Sequence, residues 1–232
     1  MDTSSRRDVI SMCRKISGRV STLKLGLELI YSVGPEVVST VKSFGYKVML
    51  DAKLLDIPNT VVGTVRAIGK LDVDIITIHA LGGRKMMEEA VKVLDEQSKD
   101  KIRPLLFGVT ILTSLDDEDL KVLGFKGNFM DSVLNLINIS GEAGLDGIVC
   151  SPREVEKVRK VSGSDFYIAT PGIRLAGDAP GDQKRISTPF EAMSAGADFI
   201  IAGRSITAGK DIGKTIDLYM DNIRRALKSL LR

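Results

Sequence analysis

The chain has no tryptophan, a single histidine and only two cysteines, and each scarcity closes a class of function. One histidine, His79, leaves neither a His-built metal centre nor a Ser-His-Asp triad. Cys13 and Cys150 lie far apart and form no CxxC, which removes the zinc knuckle and the disulfide framework. Aromatic residues at 5% are too sparse for base-stacking platforms of the single-strand-binding type. No stretch approaches the roughly 20 apolar residues that a bilayer span needs. Charge of either sign is not in excess: 33 Lys+Arg against 30 Asp+Glu give +3. The basic residues are scattered, and the densest group, Arg224 to Lys228, reads as the last turns of a surface helix. No nucleic-acid or membrane partner is therefore expected. Nothing resembling a signal peptide precedes the first helix-like segment, so a reducing cytoplasm is the expected location. Missing too are the GxGxxG dinucleotide fingerprint and the GxxxxGK[ST] phosphate loop.

What is present is ordinary globular composition, 44% hydrophobic and 27% charged, which excludes disordered and collagenous chains. Short apolar runs recur at Val20–Leu25, Lys47–Leu50, Ile75–His79, Leu105–Ile111, Gly147–Cys150, Phe166–Ala169 and Phe199–Ala202. They are rich in Val, Ile and Leu without clean alternation, as buried parallel strands are. Amphipathic stretches such as Pro35–Phe44 and Met86–Leu94 separate them, and Pro35 and Pro152 are placed for first helical turns. Strand and helix alternate through the whole chain, which indicates a parallel α/β protein. Polar residues close nearly every run: Lys24, Asp51 with Lys53, His79, Thr110 with Thr113, Ser151, Thr170, and Gly203 with Arg204. That distribution favours a TIM (β/α)8 barrel, whose site is built from all the βα loops, over an open sheet with one switch point. Residues 1–232 are expected to form a single such domain. About seven strands are counted where the barrel has eight. The deficit lies at the front, because Thr3–Ile16 already reads as a helix capped by Thr3, Ser4 or Ser5; the first strand is expected to be truncated.

The sharpest chemical feature is Leu50-Asp51-Ala-Lys53-Leu-Leu-Asp56-Ile-Pro-Asn-Thr60. Asp51 and Lys53 are two apart at a strand end, so both side chains are expected on one face, with Lys24 beside them. Asp56 falls in the following loop, just before Pro58 opens a helix. Four such charges form either an ion-pair network supporting the barrel or a functional site, and adjacent strand ends favour the site. A second feature is the long polar loop Thr170-Pro171-Gly-Ile-Arg174 through Gln183 and Arg185, of a length usual for binding loops. The third is Gly203-Arg204-Ser, able to offer a close backbone N–H and a bidentate guanidinium. In barrels these last two loops commonly hold phosphate.

Taken together, Leu-Lys24-Leu-Gly, Asp51-Ala-Lys53-Leu-Leu-Asp56-Ile-Pro-Asn-Thr60, Val109-Thr-Ile-Leu-Thr113-Ser, Thr170-Pro-Gly-Ile-Arg174, Gly181-Asp-Gln183 and Gly203-Arg204-Ser resemble the orotidine 5′-phosphate decarboxylase family. The resemblance runs from Asp2 to the last helix, and the Asp-x-Lys-x-x-Asp-Ile-Pro-Asn-Thr string is its most specific part. It implies a homodimeric TIM barrel, needing no cofactor and no metal, that converts orotidine 5′-phosphate to uridine 5′-phosphate and CO2, the last step of de novo UMP biosynthesis. By the same resemblance Lys24 contacts the ribose and positions Asp51, Asp51 sits near the substrate carboxylate, and Lys53 donates the proton to C6. Asp56 and Thr60 reach across the dimer interface, and Thr113 contacts the pyrimidine. Arg174, Gln183, Gly203 and Arg204 hold the substrate's phosphate, Pro171 contacts the substrate, and Asp2 touches the ribose.

The rival readings are a Mg-dependent sugar-phosphate decarboxylase or aldolase of the same barrel group, and a non-catalytic phosphate-binding barrel. A Schiff-base aldolase fits less well, because Lys53 between two carboxylates should be protonated rather than nucleophilic. His79 is read as a packed structural group, Cys13 and Cys150 as inert core thiols, and Met86 and Met87 as core.

Overall fold

The local signals in the chain are converted into elements much as their chemistry requires. The computed structural model describes residues 1–177, 185–209 and 211–230. These fall into two compact units, Met1–Gly108 with Ala143–Leu145, and Val109–Glu142 with Asp146–Arg232.

In the first unit, helix α1 (Arg6–Lys15) is followed by β1 (Thr22–Leu25), α2 (Leu27–Val33), α3 (Val37–Lys42), β2 (Lys47–Leu54), α4 (Pro58–Ile68), β3 (Ile75–His79), α5 (Gly83–Gln97) and β4 (Leu105–Val109). Ser5 caps α1 by accepting from Asp8 N–H, and Arg14 with Lys15 lie in its last turn, where cations meet the negative end of the helix dipole. Pro58 occupies the first turn of α4, where its missing N–H costs nothing. The strands are ordered β1-β2-β3-β4. β1 pairs with β2 in parallel, Lys24 opposite Met49, and β2 pairs with β3 in the same sense. All five residues of β3 are buried, as expected of a parallel strand covered on both faces.

The second unit contains α6 (Asp117–Val122), α7 (Phe129–Glu142), β5 (Gly147–Val149), α8 (Val155–Ser162), β6 (Tyr167–Thr170), α9 (Pro189–Ser194), β7 (Phe199–Ile200), α10 (Arg204–Thr207) and α11 (Ile212–Leu230). Two helices open with reciprocal capping boxes, Asp116 with Asp119 on α6 and Thr188 with Glu191 on α9, which satisfy otherwise orphaned N–H groups. β5, β6 and β7 pair in parallel and in sequence order.

The seven expected strands are the strands found among the described residues. None precedes α1, and the Met1 amino group donates to the Lys24 carbonyl at 2.6 Å. Several boundaries differ. The helix expected over Thr3–Ile16 begins only at Arg6, because Ser5 takes the extended backbone of a cap. Pro35 and Pro152 lie in turns that lead into α3 and α8, not in the helices. Val38 N–H bonds to Pro35 O, and Glu154 N–H to Ser151 O, both three residues back. β4 and β7 stop short of Ile111 and Ala202, whereas β2 continues past Leu50 to Leu54. That extension matters for the chemistry.

Candidate active site

Asp51 and Lys53 are inside β2, and simple strand alternation does not describe them. The register with β3 shifts between Leu50 and Leu54, a bulge of the kind that re-aims side chains. Lys53 takes φ 46°, a left-handed conformation that costs a non-glycine residue about 1–3 kcal/mol. It is held there by Lys53 N–H donating to Thr77 Oγ1 at 2.9 Å. The same Thr77 hydroxyl donates to Asp51 Oδ1 at 3.0 Å. Asp51 Oδ2 accepts from Lys24 Nζ at 2.8 Å and from Lys53 Nζ at 2.7 Å. One carboxylate thus receives two ammonium groups and a hydroxyl, every donor from a different strand position.

The electrostatics follow from that donor set. Burial by itself would raise the Asp51 carboxyl, but the charges of Lys24 and Lys53 and their hydrogen bonds outweigh it and hold it below the ordinary carboxylate value. The Asp51 side chain is 10% exposed and that of Lys53 34% exposed. The anion is therefore sequestered while the Lys53 ammonium remains open to a ligand. Asp2 is close by. A methyl group added to Gly26 would lie 3.2 Å from Asp2 Oδ1 and 3.6 Å from Lys24 Nζ. Glycine at this position leaves room where carboxylate and ammonium converge.

The expected four-charge cluster is a three-charge cluster. Asp56 is exposed and stands apart, its Oδ1 accepting from Ile57 N–H at 2.7 Å. Its loop, Leu55–Ile57, leads directly into α4. Thr60, in the first turn of α4, is exposed as well. His79 Nδ1 accepts from Leu81 N–H at 3.4 Å, capping the single turn Ala80–Gly82. Burial, and then the charge of Lys53, lower its pKa, so it is the neutral imidazole that accepts. Cys13 and Cys150 are buried thiols whose pKa values burial raises, that of Cys150 strongly, and neither is disposed to act as a thiolate. Met86 and Met87 are fully buried core.

In the second unit, Thr170-Pro171-Gly172-Ile173-Arg174 leaves β6 and turns at Gly172, which takes φ 75°. Arg174 N–H donates to Ser187 O, and Ser187 N–H to Gly172 O, forming a short ladder. Arg174 is 8% exposed. The Ile173 carbonyl accepts from Arg174 Nη1 at 2.9 Å, from Tyr219 OH at 3.0 Å and from Ser205 Oγ at 3.4 Å. Ser205 and Tyr219 are themselves 2.6 Å apart through their hydroxyl oxygens. This knot ties the Arg174 segment to the start of α10, where Gly203 precedes Arg204. Two guanidinium-bearing segments are thereby joined. Thr113 is buried in a separate turn closed by Leu115 N–H on Leu112 O. Gln183 lies outside the described residues.

Two positions carry no sequence signal of their role. Thr77 is hidden inside an apolar strand, though a lone hydroxyl among Ile residues needs a partner. Tyr219 carries no motif, and Ser205, within Gly203-Arg204-Ser, had no role of its own. Among the described residues, no three His, Cys, Asp or Glu side chains are grouped as a metal would need, and no helix is long and apolar enough to cross a membrane.

The family model described as "Orotidine 5'-phosphate decarboxylase / HUMPS family" matches residues 1–219. The chain is 39% identical over 232 residues to orotidine 5′-phosphate decarboxylase of Carboxydothermus hydrogenoformans, covering 100% of this chain and 97% of that protein. It is 41% identical over 223 residues to the protein of the same name from Trichlorobacter lovleyi, covering 96% and 92%. Among solved structures, orotidine 5′-phosphate decarboxylase from Lactobacillus acidophilus superposes with a TM-score of 0.85 at 32% identity, covering 96% of both chains. The fold class is accordingly the α/β TIM barrel of those proteins.

Proposed function

Because the chain belongs to the orotidine 5′-phosphate decarboxylase / HUMPS family, we propose that it decarboxylates orotidine 5′-phosphate to uridine 5′-phosphate and CO2, the last step of UMP biosynthesis, without a cofactor. The observation that carries this reading is the Lys53 ammonium held 2.7 Å from Asp51 on a left-handed backbone. Loss of CO2 leaves a carbanion at C6 with no adjacent carbonyl to delocalise it. A preorganised ammonium aimed at that carbon stabilises the charge as it develops, and then supplies the proton. The Lys53 ammonium donates to the Asp51 carboxylate, and the role proposed for Lys53 is that of an acid and not of a nucleophile. Lys24 positions Asp51 and, with Asp2, meets the ribose.

Arg174, Gly203 and Arg204, with Gln183, take the phosphate end, Thr113 meets the pyrimidine, and Pro171 also contacts the substrate. Phosphate is remote from the reacting carbon, so its binding energy serves orientation. One family model spanning both compact units supports reading residues 1–232 as a single domain. The cytoplasm, where such small soluble substrates are handled, is the assigned location.

The working form is a homodimer in which Asp56 and Thr60 serve the partner's site. Supporting this, Asp56 lies outside the Lys24–Asp51–Lys53 network and is flanked by two exposed apolar side chains, Leu55 and Ile57 (53% and 67% exposed), the kind of patch that marks an interface. Asp56→Ala and Lys53→Ala proteins, each inactive alone, should regain activity on mixing; failure to complement would place Asp56 in its own chain's site.

The direct test of the reaction follows loss of orotidine absorbance with and without a chelator. Turnover that survives chelation supports the assignment. Turnover that needs Mg2+ and acts on a sugar phosphate instead would move the chain to the other branch of its family.

A further inference from the structure

Arg185 is a charged residue of the second unit whose surroundings the proposed reaction leaves unused. Its side chain is 13% exposed and that of Glu154 2% exposed. Arg185 Nη1 bonds Glu154 Oε1, and Glu154 Oε2 in turn accepts Ser151 N–H at 3.0 Å. Nη2 donates to Leu112 O at 3.0 Å, the residue next to Thr113. The guanidinium lies 4.2 Å above the Phe129 ring, a cation–π contact. Its Nε is buried with no partner among the described residues. Two residues on, Ser187 forms the ladder with Gly172 and Arg174. Main chain and side chain of 185–187 therefore join three loops: the Leu112–Leu115 turn, the Ser151–Glu154 turn and the Arg174 segment.

We propose that Arg185, anchored by Glu154, is a positioning residue that holds the Thr113 turn in register with the Arg174 segment, so that one nucleotide engages both at once. This rests on the reading above in which Thr113 meets the pyrimidine and Arg174 the phosphate. Burying an ion pair is costly unless its geometry is fixed on several sides. Here the planar fork of arginine engages a carboxylate, a carbonyl and a ring together, which lysine cannot reproduce. A substrate that spans both loops depends on their register, because a misplacement on the order of 1 Å costs about 100-fold in rate. A substrate that uses only one loop does not.

The test compares kcat/KM for orotidine 5′-phosphate with that for orotidine, which lacks the phosphate. Arg185→Ala is expected to lower the first about 100-fold and the second only a few-fold, with Arg185→Lys intermediate on the phosphorylated substrate alone. Equal losses on both substrates, or none, would overturn the proposal. Should Arg185→Ala not fold, the Glu154→Leu/Arg185→Met double variant, which leaves no buried charge unpaired, carries the comparison. It should show the same selective loss, and a wild-type ratio would again overturn the idea. A wild-type chain that does not turn over orotidine 5′-phosphate at all would instead sink the underlying assignment, so the two failures are distinguishable.

Discussion

In the first unit, Asp51 receives only side-chain donors, Lys24, Lys53 and Thr77. In the second, Asp198 receives the main-chain N–H of Ile168 at 2.7 Å and the guanidinium of Arg159 at 2.5 Å. The first unit also has its own copy of that second arrangement. Asp74 accepts Val48 N–H at 2.7 Å and Lys42 Nζ at 2.9 Å. Asp74 and Asp198 each stand one residue ahead of a strand, and each returns its own N–H to the carbonyl of the residue whose N–H it receives. A carboxylate bonded to a neighbouring strand's main chain fixes that strand whether or not a ligand is present. Asp51 fixes no neighbouring main chain. It arranges two ammonium groups beside a residue held in a strained conformation, which is worth maintaining only where charge is to be used. Identical functional groups beside similar cations are thus separated into staple and site by what else their oxygens bond.

The comparison can be broken most decisively at Lys53. Lys53→Ala should lower kcat by at least about 10⁴-fold, since both the stabilising charge and the proton donor are lost, while calorimetry should find uridine 5′-phosphate bound within a few-fold of wild type. Near-normal turnover would remove Lys53 from the chemistry altogether.

Asp51→Asn should cost kcat about 10²–10³-fold, because two ammonium groups then face each other without a counter-charge. Its pH behaviour sharpens the point. The folded-state pKa of Asp51 lies below the unfolded value, so its stabilising contribution is fully present above that ordinary value, about 3.9, and is lost as pH falls through the folded one. Between pH 5 and 8 it stays ionised, and the wild-type rate profile should show no limb from it. In acid titration of stability, the asparagine variant should lack the part of the loss that Asp51 contributes below about pH 4.

Asp198→Ala should leave kcat intact and lower stability by about 1.5–3 kcal/mol in urea unfolding, the usual worth of hydrogen bonds to a charged group. A kcat loss comparable to that of Asp51→Asn would erase the distinction between the two carboxylates.

The smallest effect belongs to His79. Its folded pKa is lowered, so the unfolded chain binds the proton more readily and stability falls as pH drops below about 6.5. His79→Asn should flatten that acid-side slope in thermal melts while leaving turnover at neutral pH unchanged. A rate that follows the histidine would reassign it as a proton carrier.

Much of this was legible in the residues. Val/Ile/Leu-rich runs such as Ile75–Ile78, broken only by Thr77, announce buried parallel strands because both faces are covered. The Asp51-Ala-Lys53 spacing places opposite charges on one short stretch. The geometry at Lys53 was not legible, since strand alternation predicts a plain pleat and the bulge arises from how Leu54 registers against Ile78. Asp56 was grouped with its sequence neighbours, but in the three-residue loop Leu55–Ile57 its carboxylate accepts Ile57 N–H instead. Thr77, Tyr219 and Arg185 acquire their roles only from atoms far along the chain, Asp51, Ile173 and Glu154 respectively, and no local pattern encodes such pairings.

By itself, then, the sequence determined which elements form, which residue types could carry charge, and which chemistries were closed by the single histidine and the two isolated cysteines. These are consequences of short-range periodicity, caps and composition, and they act within a few residues. Tertiary structure alone decided which carboxylate is a staple and which holds a site, because that depends on whether its oxygens meet the main chain of a neighbouring strand or the side chains of two lysines. Proximity between residues 24, 51 and 77 is set by parallel strand pairing, and only the folded register brings them within hydrogen-bonding distance.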